Sequence, residues 1–292
     1  MMLRKDLSFS SLMSNDYYLA FDFGGTKIDV ILYDKDYKII RKLQKKTSFL
    51  NNDFNRLILF IEKTRKFFNN FTLKKLGISI NGWVKNGQIL KWRQFKNFSQ
   101  AVFYQNLKQF KTEEIIIKND VIAAAEAEKK FGLGKKYNSF LFVNLGTGLR
   151  VVYVENDNLI TGYNFLAGEI GVDTHFYKNK EIEIEEITSG RLINKILEKS
   201  KNKLKPEIFF KSKKFNNTKQ EFEKYLARII YRSLIYYNPQ AVIFSGSIIK
   251  SKKYWMSGFL INIKKQSYYS IFKPKKFLFS KIKYGQCLGS LM

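Results

Sequence analysis

Asp22, Gly24, Gly25, Thr26 and Lys27 follow one another in a pattern suited to phosphate. Two adjacent glycines let the backbone approach an anion closely, and the exposed N–H groups of such a turn form an anion nest. Thr26 adds a hydroxyl and Lys27 a positive charge. Asp22, at the end of an apolar run, offers a carboxylate that can hold Mg²⁺ through water. Gly146, Thr147 and Gly148 present a second loop of the same kind. Asn119 and Asp120 stand where one apolar run ends and an Ala-rich run begins. There Asp120 suits two roles: a helix N-cap, or a general base that takes a proton from a hydroxyl as it attacks a phosphate. Glu169 lies between Gly168 and Gly171, open to a ligand and able to accept two sugar hydroxyls. Each motif alone also reads as an ordinary turn or cap. The duplication of the glycine loop is what favours a phosphate site.

The elements that must position these residues are legible in outline. An apolar strand from Tyr17 runs into the first glycine turn, and residues 28–33 and 38–44 continue as two further strands. Two strands joined by a Gly-Gly turn form a hairpin. Apolar spacing predicts a helix over residues 54–68, a buried strand over 75–80 and a turn at Asn81 and Gly82. A helix over 105–110 and a strand over 114–118 follow. Residues 121–131, rich in Ala, are the clearest helix, stopped by Gly132 and Gly134. Strand, Gly-Thr turn, strand, turn, strand then recurs at 139–145, 149–155 and from 159. Two copies of one unit predict two related α/β domains with a cleft between them. Helices are expected over 186–199, 220–237 and 254–267. A strand is expected over 241–244, with edge-like pieces at 277–279 and 282–284 and a short terminal segment from Gly285. The domain reading is a loose tail over 1–16, a smaller lobe over 17–118 and a larger lobe over 119–292, with the last segment free to pack back on the smaller lobe.

Composition excludes several chemistries. The chain has 292 residues, enough for two domains, and 45% hydrophobic residues, enough for real cores. One cysteine, Cys287, excludes an intrachain disulfide and any Cys-based zinc site. One histidine, His175, excludes a multi-histidine metal site, and a Ser-His-Asp hydrolase would rest on it alone. No apolar run is long enough for a membrane helix, and the N-terminus lacks the apolar core of a secretory signal, so a cytoplasmic chain is expected. The formal charge is +27, from 52 basic and 25 acidic residues. The lysines are spread along the whole length, which reads as solvated faces; the densest runs are 199–205, 211–214 and 273–276. Nucleic acid is therefore not the expected partner. The basic field would instead draw in anionic substrates such as a nucleoside triphosphate.

The ordered motifs resemble the ROK family, the repressor, open-reading-frame and sugar-kinase group. Its members carry an Asp-x-Gly-Gly-Thr phosphate loop, an Asn-Asp pair opening an Ala-rich helix, a Gly-Thr-Gly loop, Ala-Gly-Glu-x-Gly-His, Glu-x-x-x-Ser-Gly and a Gly-rich nucleotide loop. Here these correspond to residues 22–27, 119–120, 146–148, 167–171, 185–190 and 245–247. The resemblance implies a two-lobed, actin-like ATPase (ribonuclease H-like) fold. It also implies ATP-dependent phosphorylation of a hexose or amino sugar. By this resemblance Asp120 is the base, and Asn119, Glu169, Glu185 and Gly82 are sugar contacts. Asp22, Gly24, Gly25, Thr26, Lys27, Gly146, Thr147 and Gly148 are phosphate and Mg²⁺ contacts, with Asp22 acting on the metal indirectly, and Gly246 is part of the adenosine wall. ATP and Mg²⁺ are the implied cofactors, and a homodimer is compatible with the family.

The departures are specific. The family's histidine after Glu-x-Gly is Val172, with His175 three residues on; its Cys-rich zinc loop is missing, so no zinc is expected. A glycine of the second loop is Arg150, the Pro-Gly turn of the sugar site is Asn81 and Gly82, and the Gly-Gly pair near the adenosine is Ser245 and Gly246. They motivate the alternative of a catalytically impaired sugar-binding or regulatory protein. The sixteen or so residues before the first loop are too few for a helix-turn-helix domain, so the DNA-binding repressor form is not expected.

Overall fold

The computed structural model describes residues 16–92, 94–177, 179–199 and 206–292. The expected tail over 1–16, apart from Asp16, and most of the basic run 199–205 lie outside the described residues. The chain divides into two compact units. One comprises the residues up to Ala124 together with Tyr284–Met292, and the other Ala125–Lys283.

The first unit is built on β1 (Tyr17–Phe23), β2 (Lys27–Tyr33), β3 (Ile39–Lys46), α1 (Phe54–Phe67), β4 (Leu73–Ile80), β5 (Gly82–Lys85), β6 (Gln88–Trp92), α2 (Gln100–Lys108) and β7 (Glu114–Asn119). Its five-stranded sheet has the order β3-β2-β1-β4-β7. The first three strands form an antiparallel meander, and β4 and β7 add in parallel to β1. Leu19, Phe21, Phe23, Ile28, Val30 and Leu32 alternate onto one face and pack with Leu57, Phe60 and Ile61 of α1. Edge-to-face contacts of Phe21 with Phe60 and Phe110 use the aromatic content well. On β1 and β4 the C-terminal helix Gly285–Gly289 also packs. A Cβ at Gly77 would overlap Ser290, so that approach needs glycine.

From here α3 (Asp120–Phe131) leads into the second unit: β8 (Ser139–Leu145), β9 (Leu149–Glu155), β10 (Asn158–Ile160), β11 (Thr174–Tyr177), β12 (Lys180–Glu183), α4 (Glu185–Thr188), α5 (Gly190–Lys199), α6 (Pro206–Lys211), α7 (Asn216–Tyr237), β13 (Ala241–Ser245), α8 (Met256–Lys264), α9 (Tyr269–Phe272) and β14 (Lys276–Phe279). Its main sheet has the order β10-β9-β8-β13-β14, again an antiparallel meander extended by two parallel strands. The repeat read from the two glycine turns is thus a repeat of topology. Trp255, fully buried, anchors this core with Phe222, Phe244 and Phe259.

Several elements differ from the sequence expectation. The helix expected over 186–199 is two helices, because Ser189 is extended (φ −135°, ψ −175°). Its hydroxyl lies between two carbonyl acceptors, Thr147 O at 2.8 Å and Glu185 O at 2.5 Å, which share its one proton. Bonds to a distant loop replace the local helical ladder. The helix expected over 105–110 begins at Gln100, capped by Ser99. The piece at 282–284 is not a strand; Tyr284 is left-handed (φ 58°) and starts the terminal helix. The β5–β6 hairpin turns at Asn86 and Gly87, both at positive φ, an Asn-Gly hairpin signal present in the sequence. Lys211, Lys213, Lys214, Lys273, Lys275 and Lys276 are exposed, in keeping with solvated faces.

Glu223 is a buried carboxyl on α7, against Gly258 of α8, where a Cβ would overlap it. Burial pushes its pKa from 4.5 up to about 7, opposed by Lys219. The folded state therefore holds this proton more tightly than the unfolded chain. Stability from this group is greatest below pH 4.5 and declines as pH rises through about 7. Denaturant unfolding of wild type and Glu223→Gln from pH 4 to 8 is expected to show a steeper decline in wild type. Parallel profiles would mean that Glu223 does not titrate in this range.

Candidate functional site

In the first unit the sequence-predicted residues gather at the carboxyl ends of the parallel strands, the usual ligand edge of an open α/β sheet. Asp22 of β1 lies beside Ser79 of β4, and Ile80 beside Asn119 of β7. Ser79 donates its hydroxyl to Asp22 Oδ1 at 3.0 Å. Burial, then the negative charge of Asp120, pushes the Asp22 pKa up to about 8, against the Ser79 hydrogen bond. Ser79 is absent from the sequence expectation, although a hydroxyl in an otherwise apolar buried strand signals a partner.

The loop after β1 is a tight hairpin closed by Gly24 N–H donating to Lys27 O at 3.1 Å. Thr47 pins it from the side, its N–H on Thr26 O at 3.0 Å and its hydroxyl on Gly24 O at 2.7 Å. Gly25, Thr26 and Lys27 are exposed. The Lys27 ammonium is held by buried Asp29 at 2.6 Å. A phosphate role for Lys27 therefore has to compete with an ion pair already in place.

Asn119 and Asp120 divide the work at the start of α3. Asn119 Oδ1 accepts from Val121 N at 2.9 Å and Ile122 N at 3.2 Å, so Asn119 is the helix cap. Its Nδ2 donates to Gly82 O at 2.8 Å, which ties the cap to the β5 hairpin. A Cβ at Gly82 would lie 2.6 Å from Lys91 O, so Gly82 serves close packing. Asp120 Oδ1 accepts from the neighbouring Val121 N at 2.9 Å. Capping therefore does not depend on Asp120.

In the second unit, Gly146 N–H donates to Gly148 O at 3.1 Å, and Thr147 is exposed at the tip. The broken helix buttresses this loop: Gly190 N–H donates to Gly146 O at 2.8 Å and Arg191 N–H to Thr147 O at 3.0 Å. Gly246 (φ 94°) sits so close that a Cβ would overlap Leu145 O, so the wall after β13 packs directly on the loop after β8. A cavity of about 330 Å³ lined by Glu186, Arg191, Asn194 and Lys195 opens on the α4–α5 region.

Glu185 is buried beneath these loops. Its Oε2 accepts from Leu149 N at 3.2 Å, its Oε1 pairs with Arg191 at 2.9 Å, and a Cβ at Gly148 or Gly171 would meet Oε2. One oxygen thus holds the start of β9, just after the Gly-Thr-Gly loop, and the other pairs with α5. Glu169, less buried, pairs through Oε1 with Arg150 Nη1 at 3.2 Å. His175 is in β11, its ring 5.2 Å from Tyr225 of α7, and burial, then Arg228 and Arg232, lower its pKa. No group of three or more His, Cys, Asp or Glu side chains is placed to hold a metal among the described residues.

The sequence pattern that defines the ROK family matches residues 18–281. The chain is a member of the ROK family. It is 24% identical over 250 residues to the xylose repressor of Bacillus subtilis (strain 168), a match covering 80% of this chain and 65% of the repressor. To the beta-glucoside kinase of Listeria innocua it is 30% identical over 161 residues, covering 52% of this chain and 51% of the kinase. The crystal structure of a ROK family glucokinase from Streptomyces griseus, in complex with glucose and AMPPNP, superposes with a TM-score of 0.74 at 16% identity, covering 94% of this chain and 98% of that one. The ROK chain thus has the two-lobed actin-like ATPase fold, and its relatives include both sugar kinases and repressors. No helix among the described residues is long and apolar enough to cross a membrane.

Proposed function

We propose that this ROK protein phosphorylates a hexose or amino sugar from ATP, with Asp120 as general base. The observation that carries the reading is the division of labour at α3: Asn119 caps the helix, leaving an acidic residue at the strand end that capping does not require. Asp120 takes the proton of the attacking hydroxyl, which sharpens the nucleophile as the bond to phosphorus forms. Asn119 and Glu169 orient the sugar, while Glu185 holds the loop that bears Gly146–Gly148 rather than the sugar itself.

The residues present fit a magnesium nucleotide. A Cβ at Gly25 would have Asn81 Nδ2 as its nearest neighbour at 3.5 Å, and one at Gly146 would have Asn144 Nδ2 at 3.8 Å. A Cβ at either glycine would make only an ordinary van der Waals contact, unlike the tightly packed Gly24, Gly82, Gly148 and Gly246. In this reading Asp22 would hold the cation through water, and a cation there would favour its ionised form. Bound Mg²⁺–ATP supplies the phosphoryl group. In this reading Thr26 and the backbone N–H groups of its loop are phosphate contacts in the first unit, and Thr147 and those of its loop are phosphate contacts in the second.

A second reading is a sugar-responsive regulator on the same fold. Its support is the Arg150–Glu169 ion pair and the similarity to xylose repressors. One experiment separates the two. The protein is mixed with Mg²⁺–ATP and a panel of hexoses, pentoses and amino sugars, and ADP is followed. Sugar-stimulated ADP is expected. Sugar binding by calorimetry with no ADP above the sugar-free control would replace the kinase by the regulator.

A further inference from the structure

We infer that Arg150 is a positioning residue that fixes Glu169 and sets how that carboxylate meets a sugar; this rests on Glu169 being a sugar contact. Arg150 is an arginine in the middle of a buried meander, in register with Asn144 and only 4% exposed. A guanidinium withdrawn from water is costly unless partnered. Its partners lie on the loop that follows β10. Nη2 donates to Phe165 O at 3.1 Å, and Nη1 is ion-paired with Glu169 Oε1 at 3.2 Å without the alignment of a hydrogen bond. The planar fork therefore spans both ends of the segment 165–169.

The loop is shaped to receive it. Phe165 is left-handed (φ 59°) with its N–H on Gly162 O at 3.2 Å, and Ala167 N–H reaches Thr161 O at 2.9 Å. Val151, the residue after Arg150, donates to Gly168 O at 2.9 Å. Strand and loop are thus joined by a backbone bond at 151–168 and by the guanidinium on either side of it. The Glu169 side chain keeps 23% exposure. The ion pair draws Oε1 toward Arg150, which biases the carboxylate so that Oε2 is the oxygen turned toward a ligand. Lysine could not reproduce this, since one ammonium lacks the fork.

The test is a double-mutant cycle with Arg150→Met, Glu169→Gln and both together, plus Arg150→Lys. Calorimetric affinity is measured for D-glucose, D-xylose and N-acetyl-D-mannosamine, and KM and kcat for whichever is turned over. Arg150→Met is expected to weaken binding roughly tenfold, as the Glu169 carboxylate loses the charge that orients it, with kcat within about twofold. In the Glu169→Gln background the same change is expected to cost less than about twofold, because the partner through which it acts is gone. Arg150→Lys should recover part of the affinity. Equal costs in both backgrounds would make Arg150 a loop staple and overturn the inference, as would unchanged affinity in Arg150→Met. If Arg150→Met does not fold, Arg150→Lys carries the cycle: a smaller loss of affinity that vanishes in the Glu169→Gln background is expected, and an equal loss in both backgrounds or none overturns the inference. A wild type that binds none of the three sugars overturns the sugar site itself, and Arg150's part in it, a result distinct from binding with an additive cycle.

Discussion

Asp120→Asn is expected to lower kcat by about two to four orders of magnitude, the usual worth of a general base. The amide cannot take the proton of the attacking hydroxyl. Sugar affinity should change far less, because an amide still hydrogen-bonds a hydroxyl. Stability should also hold, for a reason the structure supplies. The cap of α3 is Asn119 Oδ1, bonded to Val121 N and Ile122 N, and it is untouched by the substitution. Two smaller effects oppose each other. A carboxylate at a helix N-terminus is worth about 0.3–1 kcal/mol, and its removal loses that. Its negative charge also acts on buried Asp22, and its removal relieves that repulsion. The measurements are steady-state kinetics, sugar calorimetry and denaturant unfolding of the same preparations. A kcat near wild type, with affinity and stability unchanged, would leave Asp120 as a charge at a helix terminus and remove it from the mechanism.

Gly168→Ala is expected to have the second largest effect, on stability and on sugar binding together. Gly168 has φ 86°, and a Cβ there would overlap the Val151 carbonyl oxygen. Left-handed backbone costs an L-residue about 1–2 kcal/mol, and overpacking against an atom that cannot rotate away adds about 1–3 kcal/mol. The contact is with backbone, so no rotamer change relieves it. Either the second unit loses about 2–5 kcal/mol, or the loop swings off β9 and takes Glu169 with it. Denaturant unfolding reads the first outcome. Hydrogen exchange at the Val151 amide, which donates to Gly168 O, reads the second. Unchanged stability together with an equally protected Val151 amide would show that the turn accommodates a side chain, contrary to its geometry.

The two predictions differ in how far the sequence carries them. Asp120 was marked as base or cap by its place between a strand and an Ala-rich helix, and both roles were legitimate from spacing alone. Only the folded chain assigns the cap to its neighbour, because capping depends on which side-chain oxygen reaches the N–H groups of the first turn. Gly168 was legible as one of two glycines flanking Glu169. That a Cβ would strike Val151 depends on the pairing of a strand with a loop some seventeen residues later, which no local signal encodes.

The sequence by itself determined the duplicated unit, the positions of both glycine hairpins, the Asn-Asp helix start and the family. These follow from glycine's conformational freedom, alternating apolar residues and motif order, all of them local properties read along the chain. The tertiary structure decided what the charged residues of those motifs touch. Lys27 is drawn to Asp29 across one strand position, Glu185 is sealed under two loops, Ser189 breaks a helix to reach Thr147, and Arg150 lies against Glu169. Such partners are chosen by burial. Once a charge or hydroxyl leaves water it must be satisfied by whatever group the fold brings within about 3 Å, and that group is set by the packing of strands and loops rather than by nearness in sequence.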